Sequence, residues 1–316
     1  MSQASFVDDA LRTTAAQLFG GGDRLVPLAV LVDLGWSELA AEDLPTAVSV
    51  LAEEQGRRLG LSRLAELAMC AAAPSLLDPA DSALVFAVQP RLGVTFLHGS
   101  SVDGIVLADG RGAPTFVVPV STEGRVTLRR LPAGEVDIAP VTGIDPDARV
   151  TRVRCNAEGG VPVEPGAWEA AVAAGSLAVA HELVGVAEAM LDLAVTHVSE
   201  RRQFGVPIGS FQAVQHRLAD VLVDVSAGRA VCRTAWIDRD RFACAAARSA
   251  AGRAFETAMR HCQQVLGAMG STWEHPLHRY QRRGLLLERL LDPAPTLREA
   301  LSTVVVDQRR AEVLEG

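Results

Sequence analysis

The sequence predicts a mainly α-helical protein with a small central β domain. Alanine, leucine and valine are abundant and only one tyrosine is present, which favours close packing of helices over a large sheet. Long stretches with helical spacing lie on both sides of a stretch of short β-prone runs. The sequence contains no internal repeat and no low-complexity tail. We therefore expect three parts in order: helices, a small sheet, and a second set of long helices.

The first part, residues 1–80, is predicted to be a shortened helical domain. Apolar residues recur at helical spacing at Phe6, Leu11, Ala15 and Leu18. The glycines at 20–22 end this helix, and a second helical pattern runs from Leu44 to Cys70. Prolines then interrupt the pattern before the next part begins.

The second part, residues 81–163, is predicted to be a small β domain. Short β-prone runs occur at 84–88, 94–97, 104–107 and 115–120. Turn signals separate them, namely Asp109-Gly110 and Glu123-Gly124.

The third part, residues 164–316, is predicted to be a bundle of long helices. Helical patterns cover Trp168 to Val198, Gln212 to Leu266, and Leu297 to Val313. On these patterns alone, two unrelated modules joined by proline-rich links remain an equal alternative to one three-part fold.

Composition excludes several classes of function. The chain has 316 residues, 49% of them hydrophobic and 22% charged, which is typical of a globular protein. A net charge of −8 argues against nucleic-acid binding, because that requires clustered basic residues. No long uninterrupted apolar run or signal peptide is evident, so we expect a cytoplasmic protein that does not bind membranes. The five cysteines form no C-x-x-C pair, so we expect reduced core thiols and no metal site.

A few polar residues and glycines in the third part have the chemistry of a dinucleotide site. Arg201 offers a permanent cation whose planar donors match a pyrophosphate. Gln212 and Gln264 can both donate and accept hydrogen bonds, which suits a ribose or adenine edge. Gly267 and Gly270 would let backbone approach a ligand closely. Taken singly, the same residues also suit a surface ion pair, exposed helix positions and a helix C-cap, and those structural interpretations are favoured without further information.

Two segments resemble the acyl-CoA dehydrogenase family. Residues 200–208 read ERRQFGVPI and residues 210–216 read SFQAVQH, which is similar to a family signature. Residues 264–270 read QVLGAMG and residues 272–280 read TWEHPLHRY, which is similar to the family's later glycine motif and the helix after it. The resemblance implies an N-terminal helical domain, a β-barrel-like middle domain and a C-terminal four-helix bundle.

The resemblance also implies a role in binding FAD. In this family FAD lies between neighbouring subunits, and residues of one subunit reach the adenosine diphosphate end of the flavin held by the next. The matching positions here are of that second kind. Arg201 would contact the pyrophosphate, Phe204 would pack beside it, and the rest of the pocket would come from Gln212, Gln264, Gly267 and Gly270.

The sequence lacks the catalytic base that the resemblance implies. The family removes the α-proton of an acyl thioester with a carboxylate while the β-hydrogen leaves as hydride. Ungapped counting places the two family positions for this base at Leu291 and Gly175, and neither is acidic. A shifted base remains open, with Glu182 and Glu274 as candidates among the nearby carboxylates, although both are better explained as structural or surface groups. The chain also has no stretch resembling the loops that hold the flavin ring.

These departures resemble the short, β-type subunits of α2β2 acyl-CoA dehydrogenases of actinobacterial sterol catabolism. The leading hypothesis is a subunit that completes the FAD site of a full-length partner, which carries the base and acts on a bulky acyl-CoA. A self-sufficient homotetrameric dehydrogenase with a shifted base is the second hypothesis. A flavin-free scaffold subunit is the third.

Overall fold

The computed structural model describes residues 3–21, 25–76, 78–87, 101–122, 125–141, 143, 145–156, 158–164, 166–291, 297–299, 301–303 and 306. Within them the chain is mainly helical, with small sheets between two groups of helices, so the predicted fold class is confirmed. The helices are α1 (Gln3–Phe19), α2 (Leu28–Asp33), α3 (Trp36–Arg58), α4 (Leu64–Ala72), α5 (Ala167–Glu200), α6 (Gln212–Asp238), α7 (Arg241–Leu266) and α8 (Leu277–Leu287). The strands are β1 (Ser82–Leu84), β2 (Phe86–Ala87), β3 (Ser101–Val106), β4 (Thr115–Thr122), β5 (Arg125–Pro132), β6 (Asp137–Pro140), β7 (Thr151–Asn156), β8 (Val161–Pro162), β9 (Arg202–Gln203) and β10 (Val206–Pro207).

The single helical pattern predicted over 44–70 was wrong in one respect, because it forms two helices separated by a turn. Leu59 has a left-handed φ of 53°, which ends α3. At Gly60 a side chain would not fit, since an added Cβ would lie 2.4 Å from Cδ1 of Phe19. Apolar residues continue through this turn, so the spacing of the sequence does not reveal it.

The β region consists of two four-stranded sheets with the orders β1-β4-β5-β8 and β2-β3-β7-β6. All pairings within them are antiparallel except that of β1 with β4. Phe116, Val118 and Val120 of β4 lie in an apolar core formed by residues of both sheets. Val117 points the opposite way and joins the main helical core. The strand β4 is therefore covered on both faces, by the second sheet and by the helices.

Most of the predicted β-prone runs correspond to strands. The runs at 104–107 and 115–120 overlap β3 and β4, and the run at 84–88 overlaps β1 and β2. The run at 94–97 and the turn at 123–124 lie outside the described residues. The domain limits drawn from the sequence, near residues 80 and 163, stay predictions.

The helix α5 lies at the centre of the fold and spans 34 residues. It contacts α3 and α4 on one side and α6, α7 and α8 on the other. Among the described residues it is the one helix long and apolar enough to cross a membrane, but 89% of its apolar window is buried inside the protein. Nearly every residue from Ala171 to Leu191 is buried, which explains why this part of the helix is apolar around its circumference.

The helices α6 and α7 form an antiparallel hairpin. Arg239 ends α6 with a left-handed φ of 52°, and the Asp240 side chain caps α7 by accepting a hydrogen bond from the Ala243 N–H at 2.7 Å. Residues 297–299, 301–303 and 306 are helical, and the rest of the helix predicted over 297–313 lies outside the described residues.

Two glycines allow α3 and α5 to cross in direct backbone contact. An added Cβ at Gly56 would lie 2.2 Å from the Glu182 carbonyl oxygen, and one at Gly185 would lie 2.1 Å from the Glu53 carbonyl oxygen. Both distances are far below van der Waals contact. The close crossing brings buried side chains of the two helices within hydrogen-bond distance of one another.

We predict that Gly185→Ala destabilises the protein by about 1–3 kcal/mol, because the added methyl group forces α3 and α5 apart. Thermal unfolding followed by circular dichroism measures this. Gly134→Ala is the matched control, since nothing lies within 4 Å of a Cβ at Gly134. Equal melting temperatures for the two variants would contradict the prediction.

Candidate functional site

A tight hairpin follows α5 and carries the first of the predicted FAD contacts. The strands β9 and β10 pair through a two-residue turn in which Phe204 and Gly205 both have positive φ, 53° and 83°. This is the geometry of a type I′ turn, which is costly for a phenylalanine. The Phe204 ring is 92% exposed and meets the Phe211 ring edge to face at 6.2 Å. The structure therefore holds a large aromatic side chain in solvent at the tip of a rigid turn.

Arg201 lies at the base of the same hairpin with a fixed backbone and an exposed side chain. Its N–H donates to the His197 carbonyl at 2.9 Å, and its carbonyl accepts from the Ile208 N–H at 2.8 Å. Burial lowers the pKa of His197, and the positive charge of Arg201 lowers it further. The guanidinium is thus available to an anion and raises the local positive potential.

The hairpin of α6 and α7 brings the two predicted glutamines to this end of the bundle. The His261 Nδ1 lies 3.0 Å from the Arg217 carbonyl oxygen, so the last turns of α7 pack beside the first turns of α6. Gln212 begins α6 and Gln264 lies near the end of α7, and both are exposed. Polar side chains from two helices therefore face solvent at the same end as Arg201.

The two predicted glycines differ in their surroundings. Gly267 is exposed, has a left-handed φ of 58°, and would have nothing within 4 Å of an added Cβ. Gly270 is buried, and its Cβ would lie 3.0 Å from both Gln263 Nε2 and Leu266 Cβ. Gly267 leaves open space in front of the backbone, whereas Gly270 allows close packing of its own chain.

The two positions that the resemblance assigns to a catalytic base lie against each other. An added Cβ at Gly175 would lie 3.2 Å from Cδ1 of Leu291, and 2.7 Å from Cγ of Met69. Leu291 and Met69 are both buried. Two positions more than a hundred residues apart in sequence therefore meet at one place, and that place is filled by apolar side chains.

A buried arginine fixes the turn that carries Leu291. Arg248 of α7 is fully buried and donates from Nη2 to the carbonyls of Leu287 at 3.1 Å and Leu290 at 3.2 Å. The Leu287 carbonyl lies in the last turn of α8 and that of Leu290 just beyond it, at the helix C-terminus where a cation is favourable. Leu291 itself has a φ of 59°, a conformation that costs a leucine about 1–2 kcal/mol and that burial compensates.

Glu182, a candidate for a shifted base, is bound into a buried polar cluster. It accepts a hydrogen bond from Gln55 Nε2 at 2.8 Å and pairs with Arg283 at 3.2 Å. Burial raises the pKa of its carboxyl, and the negative charge of Asp145 acts in the same direction, against the opposing effect of Arg283. Its surroundings include a cavity of about 30 Å³, which holds a water but not an acyl group.

Glu274, the other candidate, lies on an exposed loop. Hydrogen bonds from its own backbone N–H and from Thr272 lower the pKa of its carboxyl. The adjacent Trp273 is also exposed, and it is held by the His278 ring at 4.4 Å and by the Arg282 guanidinium at 5.2 Å. A solvated carboxylate with a lowered pKa lacks the dry surroundings and raised pKa that suit a general base.

Comparison with known proteins identifies the family. A family model described as acyl-CoA dehydrogenase, C-terminal domain, matches residues 168–290. The chain is also 32% identical over 315 residues to acyl-CoA dehydrogenase IpdE2 of Mycobacterium tuberculosis, covering 93% of this chain and 96% of that protein. The chain belongs to the acyl-CoA dehydrogenase family. The resemblance inferred from the two sequence segments is confirmed.

Other members of the family that resemble this chain differ in length. Acyl-CoA dehydrogenase FadE34 of M. tuberculosis is 33% identical over 289 residues, and the match covers 87% of this chain but only 39% of that protein. Among solved structures, a variant of the Tcur3481-Tcur3483 steroid acyl-CoA dehydrogenase matches with a TM-score of 0.75, at 20% identity, over 97% of this chain and 99% of that one. The ChsE4-ChsE5 complex from M. tuberculosis matches with a TM-score of 0.72, at 20% identity, over 97% of this chain and 98% of that one. At this level of identity the two structures show a shared fold.

Sequence reasoning missed a second buried polar cluster beside Glu182. Trp236 Nε1 donates to His181 Nε2 at 3.3 Å, so the proton of the neutral imidazole is on Nδ1 and faces Glu53 Oε1 at 3.1 Å. Arg229 Nε contacts the other oxygen of Glu53 at 3.1 Å. The signal in the sequence was a pair of glutamates, 53 and 54, directly after the mostly apolar residues 47–52.

The Glu53 carboxylate is the charged centre of this cluster. Burial alone would raise its pKa, but the hydrogen bond from His181 and the charges of Arg229 and Arg12 outweigh burial and lower the pKa to about 2. A carboxyl with a lowered pKa in the folded state stabilises the protein above its unfolded pKa, and that contribution is lost as the pH falls towards the folded value.

We predict that Glu53→Gln lowers the free energy of unfolding by about 3 kcal/mol at pH 7, the amount that corresponds to the lowered pKa. The difference in free energy of unfolding between the variant and the wild type should become smaller as the pH falls from about 4.5 to about 2. Denaturant unfolding across this range measures it. Glu42→Gln, at an exposed position of the same helix, should leave the pH profile unchanged. If the difference in free energy of unfolding does not change with pH, Glu53 is not the charged carboxylate of this cluster.

Proposed function

We propose that this chain is a subunit of an FAD-dependent acyl-CoA dehydrogenase and that it works with a full-length acyl-CoA dehydrogenase partner in the cytoplasm. In this proposal the chain supplies contacts to the adenosine diphosphate end of FAD, and the partner carries the catalytic base. The reaction is the α,β-desaturation of a bulky acyl-CoA thioester, with a steroid-derived acid as the substrate class.

The contact of Gly175, Leu291 and Met69 is the observation that carries this proposal. Desaturation of a thioester needs a base beside the substrate α-carbon and an acceptor for the β-hydride, which FAD supplies when bound. The described residues offer only apolar groups at both positions where the family places the base. This chain therefore requires a carboxylate from elsewhere.

The residues at the end of the bundle fit one half of FAD. Arg201, Gln212 and Gln264 are exposed and offer a cation and amide groups, which suit a pyrophosphate and a nucleoside. The open backbone at Gly267 leaves room for a ligand to approach. No stretch of the sequence resembles the loops that hold the flavin ring in the family. The fit therefore favours a chain that binds the nucleotide end of a flavin whose ring is held by its partner.

Relatives of the chain support a partner and a steroid substrate. One structure of similar fold is described as a steroid acyl-CoA dehydrogenase, and another is a complex of two proteins, ChsE4 and ChsE5. The apolar side chains exposed on α6, including Leu222, Val223 and Ile237, suit burial against another subunit.

The contacts described for Glu182, Glu274 and Arg201 fit the two alternative functions less well. A self-sufficient enzyme needs a shifted base, but Glu182 is already paired with Arg283 and Gln55, and Glu274 is solvated. A flavin-free scaffold has no need for an exposed arginine on a rigid hairpin beside two exposed glutamines.

We predict that the isolated chain is colourless and inactive and that co-expression with a full-length acyl-CoA dehydrogenase encoded beside it gives a yellow, active complex. Flavin absorbance per chain and reduction of an artificial electron acceptor by CoA thioesters measure this. The complex should hold one flavin for each pair of unlike chains. Full activity of the isolated chain would overturn the proposal and favour the self-sufficient enzyme, and a complex that binds no flavin through this chain would favour the scaffold.

We predict that Arg201→Ala weakens retention of FAD by the complex about tenfold to a hundredfold, the usual effect of losing a hydrogen bond to a charged group. Release of flavin on dilution, followed by its fluorescence, measures this. Arg241→Ala is the matched control, because Arg241 is exposed at the opposite end of the α6 and α7 hairpin. Equal flavin retention in the two variants would show that Arg201 does not bind the cofactor.

A further inference from the structure

The apolar contact at Gly175 lies next to the small cavity below Glu182. Ala65 of α4 and Val179 of α5 line that cavity, together with Leu290. Met69 is one helical turn from Ala65 on the same face, and Gly175 is one turn from Val179 on the same face. The contact and the cavity are therefore consecutive layers between α4, α5 and the turn after α8.

We propose that Met69, packed against Leu291 and Gly175, seals the acyl pocket of this chain, so that acyl-CoA binds only to the partner subunit. The inference rests on the proposed function. It adds a second reason for inactivity: this chain has lost the space for an acyl group as well as the base.

The seal depends on the absence of a side chain at residue 175. A Cβ there would lie 2.7 Å from Cγ of Met69, closer than real Cβ atoms approach other atoms, and 3.0 Å from its Sδ, which is a tight contact. Methionine is unbranched and flexible, so it fills an irregular gap well. A side chain at 175 therefore requires Met69 to move from this position. A carboxylate restored at 175 alone would still face Met69 and Leu291.

Leu291 closes the layer from the other side and cannot easily retreat. The turn before it is held by Arg248 through two carbonyls, and Leu291 is buried in a left-handed conformation. Behind the seal the remaining cavity is about 30 Å³, which is far smaller than an acyl chain. Among the described residues, the side chains of Met69 and Leu291 thus fill the space directly beside residue 175.

A double-mutant cycle tests the packing. Gly175→Ala should lower the melting temperature of the chain by several degrees, and at least half of that loss should disappear when Met69→Ala provides space for the new methyl group. Met190→Ala is the control background, because Met190 is a fully buried methionine of α5 outside the contact described at Gly175. In the Met190→Ala chain, Gly175→Ala should lower the melting temperature as much as it does in the wild type. If Gly175→Ala lowers the melting temperature equally in the wild-type, Met69→Ala and Met190→Ala chains, the role of Met69 is overturned. If Met69→Ala fails to fold, Met69→Leu replaces it, and Gly175→Ala should lower the melting temperature of that variant as much as that of the wild type.

The number of thioester sites tests the function of the seal. The purified complex is titrated calorimetrically with a 3-thiaacyl-CoA, which binds but cannot be desaturated in the normal way. We expect one bound thioester per flavin, which is one per pair of unlike chains. Two per flavin would overturn the inference while leaving the flavin count, and so the proposed function, intact. Absence of flavin or of a stable complex would instead overturn the proposed function.

Discussion

The fold depends on one buried guanidinium, that of Arg283 on α8. It contacts Asp145 in the loop before β7 at 2.8 Å, the Gly60 carbonyl in the turn between α3 and α4 at 2.8 Å, and Glu182 of α5 at 3.2 Å. One side chain thereby joins the N-terminal helices, the β region and the C-terminal helices. A buried charge of this kind is costly unless all its partners are in place, so it couples the positions of the three regions. Because Glu182 serves this cluster, its carboxylate is committed to structure.

The central helix α5 explains why so many polar groups can be buried without loss of stability. Its close crossing with α3 places His181 beside Glu53 and Glu182 beside Gln55. Each of these groups is satisfied by a neighbour on another helix, as buried polar groups must be. Glu53 is further neutralised by Arg229 of α6 and by Arg12 of α1. Charge pairing thus fixes the register of four helices whose apolar faces, rich in alanine, would otherwise pack in several ways.

The sequence predicted the fold class, the family and the polar residues at the end of the bundle, because these are properties of local spacing and short motifs. Arg201, Gln212 and Gln264 were singled out in this way, and their contact with FAD stays a prediction. The helical pattern did not reveal the turn at 59–63, since leucines continue through it. It also did not reveal the role proposed for Met69, one of two buried methionines among the described residues. Counting along the sequence did identify Gly175 and Leu291 as the two positions where the family places its base. Their contact depends on α5 and the turn after α8 meeting in space, which no local pattern encodes.

Gly175 lies in the first half of α5 and Arg201 directly follows its C-terminal end, so the two proposed roles belong to opposite parts of this helix. They are separated by 26 residues of sequence, 201 minus 175, which corresponds to roughly 39 Å along a helix. Side chains so far apart cannot act on the same reacting atoms. The end at Arg201 is exposed and rigid, whereas the end at Gly175 is filled and apolar. In the proposed function, this separation would let the chain contact a partner's cofactor near Arg201 while the space beside Gly175 is filled.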